Sequence, residues 1–506
     1  MSLFATKSIE QIEAEQLGSG ERSLKRVLGP MDLLLLGIGA VIGTGIFVLT
    51  GQAAAAYAGP AIVISMVIAG LASALAGICY AEFASAVPVA GSAYIYAYAT
   101  LGEFIAWVIG WDLILEYALG AATVAVGWSG NLNALLSEFG IQFPAALSAA
   151  PGSIVPLAAG GSVTAVFNLP AVLITIAITA LLIVGIQESA RVNSIIVIVK
   201  VAVVLLIAGG GAFLIDPTNW RPFIPPNEGT FGAYGWSGVF RGAAVVFFAY
   251  IGFDAVSTSA QEARNPQRDM PFGLLGSLGI CTILYVVVCA VMVGLVPFKA
   301  MLNQPAPMVV AIDAGAARAA GTTWASVMHA LRLLVVVGTL AGLSSVMLVM
   351  MLAQPRIFYA MANDGLLPEW ARAIHPRFRT PHVTTIVTGV AVSIAAGFTG
   401  IATLGSLVSI GTLMAFIIVS IGIIFLRRTR PDLPRPFTVP FVPWLPAFSA
   451  IVSLVLMASL PWATWERLLI WMAIGIVMYF AYGARHSRLR KRGRTPFSPA
   501  TAAGQP

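Results

Sequence analysis

The sequence predicts an all-α integral membrane protein with about twelve transmembrane helices. Of its 506 residues, 58% are hydrophobic and only 10% are charged, against about 25% charged residues in a typical soluble protein. Apolar runs of about 20 residues, each long enough to cross a hydrocarbon core of about 30 Å, recur along the chain. Two of these runs contain polar or glycine residues that a continuous membrane helix avoids, which predicts that two of the helices are discontinuous.

The apolar runs are numbered here as spans one to twelve in chain order. They cover Met31 to Gln52, Ala61 to Ala84, Phe104 to Gly127, Leu169 to Gly185, Ser194 to Ile215, Trp236 to Ser259, Gly273 to Pro297, Met328 to Ala353, Val383 to Gly397, Leu404 to Leu426, Leu445 to Leu460 and Leu468 to Tyr482. Residues 1–30 are expected to form a cytoplasmic segment, because they lack the basic start and cleavage site of a secretory signal. Residues 483–506 are expected to form a basic cytoplasmic tail.

Lysine and arginine are concentrated on one side of this predicted topology. Most of the 28 basic residues lie in loops on the side of the N-terminus, and cytoplasmic loops carry such an excess. We therefore expect a multi-pass protein of the cell membrane with both termini in the cytoplasm. The net charge of +7 is mainly a topology signal, so nucleic acid is not an expected partner. Membrane lipids are expected partners, since the cluster from Arg485 to Arg494 can also hold anionic headgroups.

Cysteine and histidine give no sign of metal or redox chemistry. The three cysteines and four histidines have neither a disulfide framework nor metal-ligand spacing. We expect no metal and no cofactor other than a proton as the coupling ion. An enzyme is disfavoured, because catalysis would need a convergent set of nucleophile, base or metal groups.

Span one is predicted to break. Gly37, Gly39, Gly43 and Gly45 fall within one apolar run, and each glycine weakens a helix interior by about 1 kcal/mol relative to alanine. Unwound backbone at membrane depth survives only where it lines a cavity or is buried in protein. Close packing of helices through small residues is the alternative for these glycines.

Span six carries a second predicted interruption. The stretch Phe247 to Ser259 places Gly252, Asp254 and several hydroxyls at membrane depth. An interrupted span at the same place in each of two five-span units predicts an inverted repeat with a binding site at the midplane. The first repeat is expected over residues 31–215 and the second over 236–426, with spans eleven and twelve, 445–482, outside the repeat.

Helix ends supply the chemistry of such a site. After Gly43-Thr44-Gly45, unpaired N–H groups and the positive end of a helix dipole suit a carboxylate. Carbonyls freed before this break, and around Ile251-Gly252, suit an ammonium group. Together they fit a free α-amino acid.

Ionisable residues inside the spans are candidates for proton coupling, because charged groups in lipid usually serve function. Lys200, within span five, can load and release a proton, the alternative being that it snorkels to the cytoplasmic surface. Asp254 is either a proton carrier or a cap of the following half-helix. Asp112 and Glu116 share one helix face, and Glu116 either lines the substrate path or bonds to another helix. Glu82, at a span end, is expected to form part of a gate or cap.

Several longer motifs occur together in a fixed order. They are Gly37 to Gly51, Tyr80-Ala81-Glu82-Phe83 with Pro88 to Tyr94, Gly110 to Tyr117, Phe248 to Asp254, and Pro355 to Leu367. In these motifs the chain, from about Leu24 to Pro440, resembles the cationic amino acid transporter branch, in its bacterial form, of the amino acid, polyamine and organocation superfamily. The resemblance implies a five-plus-five inverted repeat with substrate held at the breaks of spans one and six.

The resemblance also implies roles for individual residues. By motif position, the substrate pocket would be built from Val41, Gly43, Thr44, Gly45, Phe248, Ala249 and Ile251. Met347 of span eight would bound the pocket for the side chain. Lys200 would take the place that a sodium ion fills in sodium-coupled relatives of this fold, which implies proton coupling.

The chain departs from these relatives in two places. It has Gln261-Glu262 before Ala263-Arg264-Asn265-Pro266, where many relatives carry an acidic pair before Asn-Pro, and it has fewer spans than animal members. The pocket residues are apolar or hydroxylic, so a neutral amino acid such as alanine and a cationic one both stay open.

The expected function is proton-coupled amino acid import by alternating access. An amino acid exchanger, a channel and a non-transporting amino acid sensor on the same fold stay open as alternatives. A small single-span membrane subunit stays open as a partner, because some relatives bind one.

Overall fold

The computed structural model describes residues 3, 5–8, 28–87, 92–157, 161–185, 190–260, 263–322, 324–378 and 380–492. Gln261 and Glu262 lie outside the described residues, as do most of the N-terminal segment and the tail after residue 492. Helix dominates the described residues, and their two strands form one short antiparallel hairpin, β1 (Ile154–Pro156) and β2 (Ser162–Thr164).

The α-helices are numbered in chain order. They are α1 (Pro30–Val41), α2 (Thr50–Ala53), α3 (Ile62–Ala86), α4 (Ser92–Thr100), α5 (Glu103–Glu138), α6 (Leu169–Val184), α7 (Ala190–Ala212), α8 (Gly235–Val246), α9 (Pro266–Leu295), α10 (Pro307–Arg318), α11 (Trp324–Asn363), α12 (His382–Phe398), α13 (Ile401–Thr429), α14 (Trp444–Ser459), α15 (Trp462–Met478), α16 (Ala484–His486) and α17 (Arg488–Arg492). Seven helical stretches of the described chain are long and apolar enough to cross a membrane, and α6, α12 and α14 are shorter apolar helices. The chain is therefore an all-α membrane protein, while the count of twelve spans stays a prediction.

The predicted spans correspond to helices in sequence order. Span one is α1 with the residues that follow it, and spans two to twelve are α3, α5, α6, α7, α8, α9, α11, α12, α13, α14 and α15. Two helices are much longer than their spans: α5 has 36 residues and α11 has 40. At about 1.5 Å per residue both exceed the thickness of the hydrocarbon core. Hydropathy marks only the part in lipid, whereas the hydrogen-bonded backbone continues past it.

The helices with predicted breaks lie in the centre of the bundle. α1 packs against α7 and α9, and α5 packs against α11 and α13. The residues around the first break, Ile42, Ile46 and Phe47 among them, are fully buried in the main apolar core. By contrast, α14 and α15 leave many large apolar side chains exposed, as expected of lipid-facing helices.

Both ends of the described chain lie at one end of the bundle, called here the terminal rim. The backbone N–H of Glu103 donates to the carbonyl of Ala5 (3.0 Å), and that of Phe104 donates to the carbonyl of Leu3 (3.1 Å). From the other end of the chain, the N–H of Arg488 donates to the carbonyl of Asp364 (3.0 Å). The start of α5 and the end of α11 therefore anchor the first and last described segments of the chain.

Candidate functional site

The first helix break falls where the glycines predict it. α1 ends at Val41, and Ile42 takes an extended conformation (φ −71°, ψ 101°). Helical structure resumes at Thr44 and continues as a π-helix over Gly45–Leu49. The interruption leaves the last carbonyls of α1 without partners in their own helix.

The second break falls within span six, as predicted. After α8, a 3₁₀ turn covers Phe247–Tyr250, and Ile251 is then extended (φ −65°, ψ 140°). Gly252 follows with φ +109°, a conformation open to glycine and rarely to other residues. A second 3₁₀ segment covers Asp254–Ser259, so the two halves of span six are separated by an unwound Ile251-Gly252 pair.

The two breaks contact each other through glycine. A Cβ atom on Gly45 would lie 2.2 Å from the Cα of Ala249. One on Gly252 would lie 2.8 Å from the carbonyl oxygen of Ala40. Both distances are too short for a real side chain, so the backbones of spans one and six touch directly here. The glycines therefore both interrupt the helices and allow them to pack closely, which were the two uses considered from the sequence.

Side chains of other spans bind the carbonyls that the first break sets free. The ammonium of Lys200 donates to the carbonyl of Gly39 (2.7 Å), and the hydroxyl of Tyr285 donates to that of Val41 (2.8 Å). Lys200 is 1% exposed, and its methylene chain crosses Gly342 of α11, where a Cβ would lie 3.0 Å from Cε. The snorkelling alternative for Lys200 is therefore wrong, because the ammonium turns inward to the break.

The start of the second half of span one presents an unpaired hydroxyl. Thr44 is fully buried, and its Oγ1 has no hydrogen-bond partner among the described residues. Its side chain packs on Gly127 of α5, where a Cβ would lie 2.7 Å from Cγ2. A buried polar atom without a partner is rare in proteins, so this hydroxyl is available to a ligand at the break.

Span eight reaches the break through Val346. A Cβ on Gly43 would lie 3.3 Å from a methyl group of Val346. Met347, the residue picked from the resemblance, is fully buried, and its role in the pocket stays a prediction. Successive side chains of a helix point about 100° apart, so a shift of one residue in the alignment changes which side chain faces the break. The motif match in this span was too loose to distinguish Val346 from Met347.

Three carboxyl groups lie between α5 and the second break. The hydroxyl of Tyr117 donates to Oδ2 of Asp254 (3.2 Å). Neither oxygen of Glu116, nor either oxygen of Asp112, has a hydrogen-bond partner in the described part of the chain. Thr412 lies beside Glu116, but its hydroxyl donates to the carbonyl of Val408 (3.0 Å). Both roles considered for Glu116, lining the substrate path and bonding to another helix, stay predictions.

Glu82 lies away from the breaks, at the terminal rim. Its carboxylate accepts two hydrogen bonds from Arg427 (2.8 and 2.7 Å) and one from the backbone N–H of Val439 (2.6 Å). Arg435 lies 3.4 Å from the same carboxylate. This ion-paired cluster fits the predicted gate or cap, as opposed to a substrate contact.

The sequence did not single out Glu103, the other fully buried carboxylate of the rim. It accepts hydrogen bonds from Tyr98 (3.1 Å), Tyr479 (2.9 Å) and Arg490 (2.9 Å), and one from Ser487. Three of these partners come from the last 30 residues of the described chain, and no local pattern links them to Glu103. One indication of this role was present in the sequence: Glu103 directly follows Gly102 at the start of an apolar helix.

Metal ligation has no candidate at these sites. Over the described ranges, no group of three or more His, Cys, Asp or Glu residues is placed to hold a metal ion. The arrangement at the breaks instead offers carbonyls, N–H groups and a hydroxyl, the donors and acceptors that hold small zwitterions in membrane proteins.

Two broken helices that meet inside a helical membrane bundle define a membrane transporter of the discontinuous-helix class. Comparison with known proteins narrows this class. The amino acid permease family matches residues 28–479. The chain belongs to this family, which confirms the resemblance drawn from the motifs and indicates a transporter of amino acids, not an enzyme.

Three relatives illustrate the range within the family. The chain is 47% identical to the branched-chain amino acid permease BcaP of Bacillus subtilis (strain 168), over 97% of this chain and 99% of that protein. It is 46% identical to the methylthioribose transporter of the same organism, over 97% of this chain and 100% of that protein. It is 40% identical to the vacuolar cationic amino acid transporter 4 of Arabidopsis thaliana, over 85% of this chain and 68% of that protein.

Proposed function

We propose that this protein imports amino acids by alternating access, driven by protons, and binds its substrate where the breaks of spans one and six meet. The observation that carries the proposal is the 2.7 Å hydrogen bond from Lys200 to the carbonyl of Gly39. It joins the buried lysine of span five directly to the backbone of the first break.

Proton coupling follows from the charge of this lysine. A protonated Lys200 holds the Gly39 carbonyl, whereas a neutral amine has one donor fewer and no charge to share. Loss of the proton therefore weakens the contact between span five and the break. Protonation and the conformation of the break are thus linked, as a symporter requires.

The five-plus-five repeat is supported by the way equivalent spans meet. Span two packs on span seven (α3 on α9), span three on span eight (α5 on α11) and span four on span nine (α6 on α12). Two repeats related by a two-fold axis bring equivalent helices together near that axis. The shared location of the first and last described segments at the terminal rim supports an even number of spans with the rim in the cytoplasm.

A neutral amino acid is the substrate that the break fits best. Neither Val41–Gly45 nor Phe248–Ile251 contains an acidic side chain that would pair with a cationic substrate. The free hydroxyl of Thr44 can donate to a carboxylate, and Val346 presents methyl groups. The name of the BcaP relative, a branched-chain amino acid permease, supports leucine, isoleucine and valine as the first substrates to test.

Methylthioribose is a second candidate substrate. A relative almost as similar as BcaP carries that name, so overall identity does not separate the two substrates. Methylthioribose has neither an ammonium nor a carboxylate group. The carbonyls and N–H groups at the break therefore favour the amino acid.

Uptake into proteoliposomes tests the proposal. Labelled leucine is supplied with and without an inward proton gradient, and unlabelled valine, alanine, arginine and methylthioribose compete. We expect gradient-driven accumulation that an uncoupler abolishes, with competition by valine before arginine. If methylthioribose alone competed strongly, it would replace the neutral amino acid as the preferred candidate substrate.

Two variants separate coupling from general damage. Lys200→Ala should abolish accumulation, whereas Lys299→Ala, which removes a lysine whose side chain is 66% exposed, should leave it intact. Equal exchange with and without the gradient would indicate an exchanger, and binding without movement would indicate a sensor.

A further inference from the structure

We propose that Asp112 is a proton-relay residue, which exchanges a proton with Glu116 on the side of the terminal rim. The inference rests on the proposed proton coupling, and it adds a third carboxyl group to the path from the rim to the second break.

The position of Asp112 along α5 supports this role. α5 begins at Glu103 in the terminal rim, so Asp112 lies about 13 Å and Glu116 about 20 Å along its axis from that end. Residues four apart lie on the same face, with Cβ atoms about 6 Å apart. The next residue, Tyr117, donates to Asp254 at the second break (3.2 Å). The acidic groups thus follow one another from the rim to the break.

The surroundings of Asp112 and Glu116 favour groups that carry a proton. Asp112 is 0% and Glu116 is 2% exposed, and none of their four oxygens has a hydrogen-bond partner among the described residues. A buried carboxylate without a partner is so costly that the group takes up a proton instead. Two such groups side by side share their protons, because they cannot both ionise.

The groups that face this pair bring no positive charge to hold a carboxylate. The titratable ones are Tyr80 of α3, Tyr117 of α5 and Asp254 after α8. From α13 the pair meets Gly411 and Thr412, and α11 contributes Gln354, which donates to the carbonyl of Ile114 (3.0 Å). Within the described residues, the pair is therefore surrounded by phenols, amides and acids, through which a proton can pass but where a lasting charge is not stabilised.

Close contact with α13 fixes the carboxyl group of Asp112. A Cβ atom on Gly411 would lie 2.8 Å from Oδ1 of Asp112, so only glycine leaves this space to the carboxyl group. Gly411 is therefore a positioning residue for Asp112, and even a methyl group there would displace it.

The proton step is a simple exchange between two acids. Asp112 first releases its proton to water on the side of the rim and becomes the carboxylate. The O–H bond of Glu116 then breaks and a new O–H bond forms on Asp112. Glu116 is then the carboxylate, and it takes up the next proton that arrives from the break. The number of protons and the total charge of the pair are restored at the end of each cycle.

Proteoliposomes containing the full chain test the inference. The wild type must first accumulate leucine under a proton gradient. If it does not, the proposed function fails and the relay fails with it. If it does, Asp112→Asn should reduce accumulation at least tenfold while leucine counterflow, which needs no net proton movement, stays within about twofold of wild type. Asp432→Asn, at an ion-paired side chain that is 74% exposed, should change neither.

Unchanged accumulation in Asp112→Asn would overturn the inference, and so would an equal loss of counterflow in a variant with a wild-type Tm. Gly411→Ala provides a second variant that leaves the acid in place. We expect it to shift the pH at which accumulation is half-maximal, while counterflow at saturating leucine is retained. A wild-type pH profile in this variant, with normal accumulation, would remove the positioning role.

Discussion

The carboxylates of the terminal rim and those inside the bundle are equally buried but have opposite surroundings. Glu82 and Glu103 are both 0% exposed, and arginine, tyrosine, serine or backbone N–H groups bind them. Asp112 and Glu116 are as deeply buried, yet their oxygens have no hydrogen-bond partner in the described residues. Burial alone therefore does not distinguish a structural acid from a functional one.

The hydrogen-bond and charge partners of each acid distinguish the two groups. A buried ion pair is strongly destabilised when one member is removed, because the other charge is left alone. An acid that is buried as its neutral form can be replaced by its amide with little effect on folding, but the amide cannot carry a proton. Four substitutions test this difference, ordered by their expected effect on the free energy of unfolding.

Glu82→Ala should have the largest effect. It leaves Arg427, Arg435 and the N–H of Val439 without their shared acceptor, which should lower the free energy of unfolding by about 3 kcal/mol. Thermal unfolding in detergent measures the loss. Glu228→Ala, which breaks an ion pair with Lys299 whose side chains are exposed, should cost less than about 1 kcal/mol. Similar losses in the two variants would contradict the structural role of Glu82.

Arg490→Gln should have an intermediate effect. Glu103 would lose its charged partner at 2.9 Å but keep Tyr98, Tyr479 and Ser487, so we expect a loss of about 1.5 kcal/mol. The same unfolding assay applies, with Arg485→Gln, at an exposed position, as the control. A stability equal to that of wild type would show that the neutral donors are sufficient for Glu103.

Tyr285→Phe should have a smaller effect still. The variant removes the one hydroxyl that donates to the Val41 carbonyl at the first break (2.8 Å), for which we expect a loss of about 1 kcal/mol. Tyr359→Phe, at an exposed side chain, is the matched control. A loss much above this value would mean that the break depends on Tyr285 as strongly as the rim depends on its ion pairs.

Glu116→Gln should have the smallest effect on unfolding, within about 1 kcal/mol of wild type, because the amide replaces an acid whose oxygens have no hydrogen-bond partner in the described part of the chain. Its effect on transport should be large, since gradient-driven accumulation is expected to be lost. Unfolding and uptake are measured on the same preparation. Strong destabilisation would show that Glu116 stabilises the fold as the rim acids do, and the difference between the two groups of acids would not hold.

The sequence predicted the features that depend on local backbone. The glycines of span one and Gly252 in span six weaken the helix at their own positions, so both breaks could be located before the structure was known. The depth of Lys200 in span five could be predicted for the same reason, because the hydropathy of the surrounding residues is also a local property.

Contacts between distant residues could not be predicted in this way. The carbonyl that binds Lys200 belongs to Gly39, 161 residues earlier, and Tyr479 lies 376 residues after Glu103. The basic residues of the tail predicted topology and lipid binding, but the contact of Arg490 with Glu103 depends on how α5 and α15 pack. Val346 and Met347 could not be separated, because the side of α11 that faces the break is set by the same packing.

The segments around Ala5 and Arg488 are both anchored on neighbouring helix termini, which has a practical consequence for spectroscopy. A donor dye attached near Ala5 and an acceptor dye attached near Arg488 would start close together, since both segments lie against the ends of α5 and α11. Energy transfer between them would fall whenever this face of the protein opens. The two segments thus offer a built-in ruler for following conformational change in single molecules.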